Sequence, residues 1–96
     1  MSIYLTALLK FKTGEADTVK PLLLELVANS LKEEACLQYE LYQDSENENL
    51  FIFHETWKDA AGLEQHTQQA HYKQFSQQAG PLLEETPTLH KTQRIA

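Results

Sequence analysis

The segment from Leu50 to Trp57 constrains the fold most strongly, because it is apolar on both faces of a predicted strand. Strand side chains alternate between the two faces of a sheet. Phe51, Phe53 and Trp57 therefore share one face, while Leu50 and Ile52 share the other. A single layer of helices covers only one side of such a strand. The segment thus predicts a sheet with helices on one face and a further apolar cover on the opposite face.

Hydrophobic periodicity predicts five further elements around this strand. In chain order they are a strand from Ile3 to Phe11, a helix from Asp17 to about Lys32, a strand from Cys36 to Tyr42, a helix that follows the N-cap residue Asp59 and resumes through Tyr72 to Leu83 with an interruption at Gly80-Pro81, and a strand from Thr86 to Ile95. The polar run from Asp44 to Asn49 predicts a hairpin between the second and third strands. This order is typical of a ferredoxin-like α+β fold with a four-stranded antiparallel sheet.

The second apolar face of the sheet predicts an assembly as well as a fold. The whole chain, residues 1–96, has the length of one domain. The helices cover only one side of the sheet, and a second copy of the same sheet is the simplest cover for the other side. We therefore expect a homodimer that is joined sheet to sheet.

Composition excludes several classes of partner. The formal net charge is −6, and only eight lysines and arginines are spread along the chain. Nucleic acids and anionic membrane surfaces need a basic stripe, so neither is an expected partner. Cys36 is the only cysteine, which forbids an internal disulfide and fits a reducing compartment. Because no signal segment or long apolar run is present, we expect a cytoplasmic protein.

Four short motifs resemble the antibiotic biosynthesis monooxygenase (ABM) domain family. They are Cys36–Leu41, Phe51–Trp57, Leu63–His66 and His71-Tyr72. The resemblance implies a dimeric α+β barrel with a pocket between the sheet and the helices of each subunit. It also implies oxidation of small aromatic quinols or anthrones by O₂, without metal, flavin or haem. Related proteins include an isomerase of a phosphorylated autoinducer, haem-degrading enzymes, and proteins with no demonstrated activity.

His66 and Glu55 are the candidate catalytic residues. Oxidation by O₂ without a cofactor needs a base that deprotonates the substrate, and an imidazole titrates near neutral pH. His66 lies three residues after Leu63, close to the core-facing side of its helix. Glu55 shares a strand face with three aromatic rings, where a carboxylate needs a partner or a proton. The alternatives are a His66 bonded to a backbone carbonyl and a Glu55 that reaches water.

Five aromatic or imidazole side chains are candidates for substrate binding. They are Trp57, Tyr39, Tyr72, His71 and Phe53. Trp57 offers a stacking wall, and the two tyrosines offer hydrogen bonds to substrate oxygens. The alternative interpretation makes Trp57 a core residue and His71 a solvated one. His54 points to the opposite strand face from Glu55, so we exclude it from the site.

A metal site is not predicted from the histidine spacing. His66 and His71 are five residues apart, which separates them by about 140° on one continuous helix. A zinc-binding helix carries its histidines four residues apart. Haem binding is disfavoured because the strand around Thr6 lacks the asparagine of haem-degrading relatives. Three functions remain: a cofactor-independent monooxygenase, an isomerase of a phosphorylated hydroxyketone that would need a cationic anchor, and a ligand-binding or structural dimer without turnover.

Overall fold

The hydrophobic patterns of the sequence fold into four strands and three helices in a computed structural model that describes all 96 residues. The elements are β1 (Ile3–Lys10), α1 (Ala16–Ser30), β2 (Cys36–Gln43), β3 (Leu50–Trp57), α2 (Ala60–Gln68), α3 (Ala70–Ala79) and β4 (Thr88–Thr92). A single 3₁₀ turn, Gly80–Leu82, follows α3. None of the helices is both long enough and apolar enough to cross a membrane.

The four strands form one antiparallel sheet in the order β2-β3-β1-β4. Strand β3 pairs with β1 on one side and with β2 on the other, so the most apolar strand occupies an inner position. The predicted hairpin between the second and third strands is present. This topology confirms the predicted ferredoxin-like α+β fold with a four-stranded antiparallel sheet.

The two faces of β3 are buried to different extents. Phe51, Phe53 and Trp57 are at most 2% exposed and pack in the core under the helices. Leu50 and Ile52 point to the other face of the sheet and are only half-buried. The strand is therefore apolar on both sides, as predicted, and only the helix-facing side is covered within the chain.

The predicted second helix is divided into α2 and α3. Gln69 joins them with an extended backbone, at φ −68° and ψ 147°, which ends one helix and starts the next. Asp59 caps α2 as predicted, because its side chain accepts a hydrogen bond of 2.8 Å from the backbone N–H of Gly62. The prediction of one helix through this region was wrong. Glutamine carries no helix-breaking signal, so nothing in the sequence marks the break at Gln69.

The last strand is shorter than the predicted span from Thr86 to Ile95. Only Thr88–Thr92 pairs with β1, opposite Leu8 to Tyr4. Pro87 lacks a backbone N–H and cannot extend the hydrogen-bonded ladder toward the N-terminus. Beyond Thr92 the chain leaves the sheet.

Gly62 lies where α2 approaches the loop before β2, and this contact yields a stability prediction. A methyl group at Gly62 would overlap the Cβ atom of Ala35, whereas one at Gly80 would meet nothing within 4 Å. We expect Gly62→Ala to lower the free energy of unfolding by about 1–3 kcal/mol, because overpacking outweighs the gain in helix propensity. Urea unfolding followed by circular dichroism measures the change. Gly80→Ala is the matched control and should not be destabilised; equal stabilities of the two variants would contradict the tight contact.

Candidate functional site

A cavity of about 760 Å³ lies between the sheet and the helices. Most of the residues that line it are apolar, and they come from β1, β3, β4 and all three helices. Its apolar walls include Ile3, Leu5, Ala7, Leu9, Leu26, Leu63, Phe75, Leu83 and Leu89. Thr86, Leu89 and Lys91 line it from exposed positions on and before β4, so the cavity opens to solvent on that side.

One cluster of polar groups in the cavity comes from β2, β3 and the α2–α3 corner. Tyr39, Glu55, His66 and Tyr72 all line it. The His66 ring lies 5.5 Å from the Tyr39 ring and 4.9 Å from the Tyr72 ring, measured between centroids. Two phenols, one buried carboxyl group and one imidazole therefore converge in a mostly apolar space, which is typical of ligand-binding pockets.

His66 is held by Glu33, a residue that sequence analysis did not single out. The Nδ1 atom of His66 lies 2.6 Å from Oε2 of Glu33, and Nε2 of His71 lies 2.8 Å from the same oxygen. The exposed fraction of the side chain rises from 3% for His66 to 10% for Glu33 and 19% for His71. One carboxylate oxygen thus contacts both imidazoles, the buried one of His66 and the more exposed one of His71.

The break at Gln69 brings the two histidines together. His66 lies in the last turn of α2, and His71 lies in the first turn of α3. On one continuous helix they would point far apart, but the extended Gln69 turns the chain so that both reach Glu33. Glu33 itself lies between α1 and β2, where no hydrophobic period marks it. No signal in the sequence pairs that loop with the histidines.

The contact with Glu33 selects one tautomer of His66. A carboxylate accepts a hydrogen bond, so Nδ1 carries the proton and Nε2 keeps its lone pair. Burial lowers the pKa of His66 below its usual range and outweighs the opposing effect of Glu33. The Trp57 ring lies 4.5 Å from the His66 ring, at an angle of 38°. The imidazole is thus neutral and oriented, and Nε2 is the nitrogen left for a molecule in the cavity.

Glu55 has the partner that its aromatic surroundings require. Its Oε1 accepts a hydrogen bond of 2.8 Å from Nε1–H of Trp57, and the residue is 6% exposed. Burial raises the pKa of Glu55 from 4.5 to about 7, with a smaller contribution from the charge of Glu33, while the Trp57 hydrogen bond opposes the shift. Glu55 therefore exchanges a proton close to neutral pH, and it does so at the cavity surface.

The seven candidate residues fall into two groups in the structure. Five of them line the cavity, namely Glu55, His66, Tyr39, Tyr72 and Phe53. Trp57 is fully buried behind His66 and does not line the cavity. His71 lies outside it, in a polar surface pocket that Glu33 also lines. His54 lies on the outer face of the sheet, 3.3 Å from the Thr6 hydroxyl.

The cluster of Glu33, His66 and His71, and the thiol of Cys36, are the two other groups with the chemistry of a metal ligand or a nucleophile. Glu33, His66 and His71 have ligand atoms within 4.8 Å of one another. Ligand atoms around a tetrahedral zinc ion are about 3.3 Å apart, so the contacts of 2.6 and 2.8 Å fit hydrogen bonds better than a metal site. Burial raises the pKa of Cys36 to about 11, which makes its thiol a poor nucleophile.

The raised pKa of Glu55 predicts how stability depends on pH. The folded state keeps the Glu55 proton between about pH 4.5 and 7, while the unfolded chain loses it. Its contribution to stability is therefore complete below about pH 4.5 and is lost as the pH rises to about 7, by an amount on the order of 3 kcal/mol. We expect Glu55→Gln, which still accepts the Trp57 hydrogen bond, to remove this part of the decline. Urea unfolding of both proteins across that range measures it, and parallel curves would contradict the shift.

Comparison with known proteins gives one family. The family model described as antibiotic biosynthesis monooxygenase matches residues 2–78. A Bacillus subtilis (strain 168) protein named "Putative monooxygenase YcnE" is 33% identical over 81 residues, which cover 84% of this chain and 85% of the relative.

Solved structures agree with the sequence comparison. The crystal structure of PA3566 from Pseudomonas aeruginosa matches with a TM-score of 0.92 and 35% identity, over 99% of this chain and 95% of that chain. A crystal structure of an antibiotic biosynthesis monooxygenase matches with a TM-score of 0.94 and 26% identity, over 98% of this chain and 99% of that chain. The chain therefore belongs to the antibiotic biosynthesis monooxygenase family.

Proposed function

We propose that the chain is a cofactor-independent monooxygenase that oxidises a small aromatic quinol or anthrone with O₂. The observation that carries the proposal is the oriented, neutral His66 beside a large apolar cavity. Membership of the family supports the reaction type. The site supports the substrate class, because flat apolar rings suit apolar walls while hydroxyl groups suit the polar end.

The first step of the proposed reaction is proton transfer to His66. A substrate hydroxyl or an acidic ring CH₂ gives its proton to Nε2, and the imidazolium that forms stays paired with the Glu33 carboxylate at Nδ1. The Trp57 ring face, 4.5 Å from the His66 ring, further stabilises a cationic imidazole. The protein thereby lowers the barrier to an electron-rich substrate anion, which is the species that reacts with O₂.

The second part of the reaction needs stabilisation of negative charge on oxygen. Burial raises the pKa of both Tyr39 and Tyr72, so their phenols stay protonated and can donate hydrogen bonds. Glu55 in its protonated form can donate as well. For an anthrone, the ring CH₂ becomes a ketone with one oxygen atom, and the other oxygen atom leaves as water with the two displaced protons. The four electrons removed from the substrate reduce one O₂ molecule completely, so no other oxidant or reductant is needed.

An isomerase of a phosphorylated hydroxyketone is the second candidate. It needs a cationic anchor in the cavity, and Lys91 lines the cavity. The mostly apolar walls favour an aromatic ring over a phosphorylated sugar-like chain, so this candidate ranks below the first. A dimer that binds ligand without turnover is the third possibility, and the activity measurement below separates it from the first.

We further propose that two copies of the chain associate through the outer face of the sheet. Leu8 on β1 and Leu50 and Ile52 on β3 point to this face and are half-buried in the single chain. A second sheet would remove them from water, at about 25 cal/mol for each Å² of apolar surface. The helices pack on the opposite face and leave these side chains uncovered.

Oxidation of reduced aromatic substrates tests the function. We expect the protein to oxidise at least one member of a panel of naphthoquinols and anthrones faster than autoxidation, in the presence of O₂ and a metal chelator. His66→Gln should lower kcat by about 10²- to 10⁴-fold, because it removes the base. Quinone absorbance and O₂ consumption measure the rate.

Two further variants separate the base from general damage. His90→Gln, on an exposed position of β4, should keep the wild-type rate. Glu33→Gln should lower kcat and shift its pH profile, because the His66 tautomer is no longer fixed by a carboxylate. A protein that oxidises none of the panel counts against the proposed function, and a His66→Gln variant with wild-type kcat refutes the base.

The dimer has its own test. We expect light scattering to give twice the chain mass at micromolar concentration, and Ile52→Asp to give a monomer by placing a charge on the outer face. Leu24→Asp is the matched control, because Leu24 is 63% exposed on α1, away from the sheet face. A wild-type monomer at that concentration would contradict the proposed association.

A further inference from the structure

A row of four side chains crosses the cavity-facing side of the sheet. In the strand register, Tyr39 on β2 lies opposite Glu55 on β3, Glu55 lies opposite Leu5 on β1, and Leu5 lies opposite Lys91 on β4. Residues directly opposite each other point to the same face of a sheet. All four line the cavity. The row therefore runs from a phenol and a carboxyl group, across one leucine, to an ammonium group.

The two charged groups of the row are separated by two strand spacings. Neighbouring strands are about 4.8 Å apart, so the Cα atoms of Glu55 and Lys91 are about 10 Å apart. Tyr39 and Glu55 are buried at 5% and 6% exposure, whereas Lys91 is exposed at the open side of the cavity. A molecule lying along the row would have one end beside the proton-transfer groups and the other end beside the lysine.

Lys91 is the only permanent cation among the residues that line the cavity. The other titratable groups of the lining are Glu55, Glu64, His66 and two tyrosines. Lys91 takes part in none of the ion pairs of the chain, which are Lys10 with Glu84 and the two histidines with Glu33. Its ammonium group is therefore available to an anion, and it stands on an apolar wall next to Leu89.

We propose that Lys91 is a specificity residue that binds a carboxylate group of the aromatic substrate. The natural substrate would then be an aromatic quinol or anthrone that bears a carboxylate at the end remote from its reacting group. A phosphate would call for several donors or a helix N-terminus, whereas a single ammonium group suits a monoanion. Glu64 is exposed on the lining of the same cavity, and its negative charge opposes anion binding. Removing that charge should therefore strengthen binding of an anion, whereas removing the charge of Lys91 should weaken it.

The inference rests on the proposed function only for the identity of the reacting group, and its test needs no turnover. The probes are two oxidised aromatics, anthraquinone carboxylate and its neutral hydroxymethyl analogue. The chain has one tryptophan, Trp57, which packs against His66, so quenching of its fluorescence reports binding. Dissociation constants are measured at low and at high ionic strength.

Charge at position 91 should change the affinity for one probe only. We expect Lys91→Met to weaken binding of the carboxylate about two- to fivefold at low ionic strength, as for an exposed ion pair. Binding of the neutral analogue should not change. Lys91→Arg should retain the preference, Glu64→Gln should increase carboxylate affinity, and high salt should reduce the effect of Lys91→Met.

A surface lysine outside the cavity provides the control. Lys73 is exposed on α3 and does not line the cavity, so Lys73→Met should bind both probes as the wild type does. The inference is overturned if the wild type does not bind the carboxylate, if Lys91→Met affects both probes equally or neither, or if Lys73→Met has the same effect. A protein that passes this test but oxidises no quinol would keep the anion site and lose the proposed reaction.

Discussion

The carboxylate of Glu33 is the contact on which the arrangement of the site depends. It receives both His66 and His71 on one oxygen, at 2.6 and 2.8 Å, and so ties the loop after α1 to the end of α2 and the start of α3. A buried imidazole without a partner would be costly. Because Glu33 supplies that partner from outside the cavity, the opposite nitrogen of His66 is left on the cavity side.

Burial favours the uncharged form of two neighbouring groups in the site. It lowers the pKa of His66, a base, and it raises the pKa of Glu55, an acid, to about 7. Near neutral pH, His66 is therefore uncharged and can accept a proton, while Glu55 in its protonated form can donate one. Trp57 contacts both, since its N–H group binds Glu55 and its ring face lies against His66. The indole thus contributes to the site from behind, without lining the cavity.

The fold was predictable because its signals are periodic and local. Alternation in β3, the cap at Asp59 and the polar hairpin loop each carry their own pattern, and together they determine the order of elements. The break at Gln69 and the contact with Glu33 carry no such pattern. One continuous helix would separate His66 and His71 by about 140°, but the single extended residue Gln69 divides the helix and brings both imidazoles to Glu33. Contacts between a loop and a helix corner depend on how the whole chain packs. Strand and helix periodicity therefore brought five of the seven candidates to the cavity lining, but it gave neither the contact with Glu33 nor the positions of Trp57 and His71 outside the lining.

The fold also places the proposed association surface and the opening of the cavity on different parts of the molecule. The outer sheet face, with Leu50 and Ile52, faces away from the helices, whereas the cavity opens at the short edge strand β4. Because β4 has only five residues and pairs on one side, the wall around Lys91 and Leu89 stays exposed. A partner sheet on the outer face would leave this opening free. Association would therefore bury apolar surface without blocking the substrate, and the shortness of β4 provides access to the cavity.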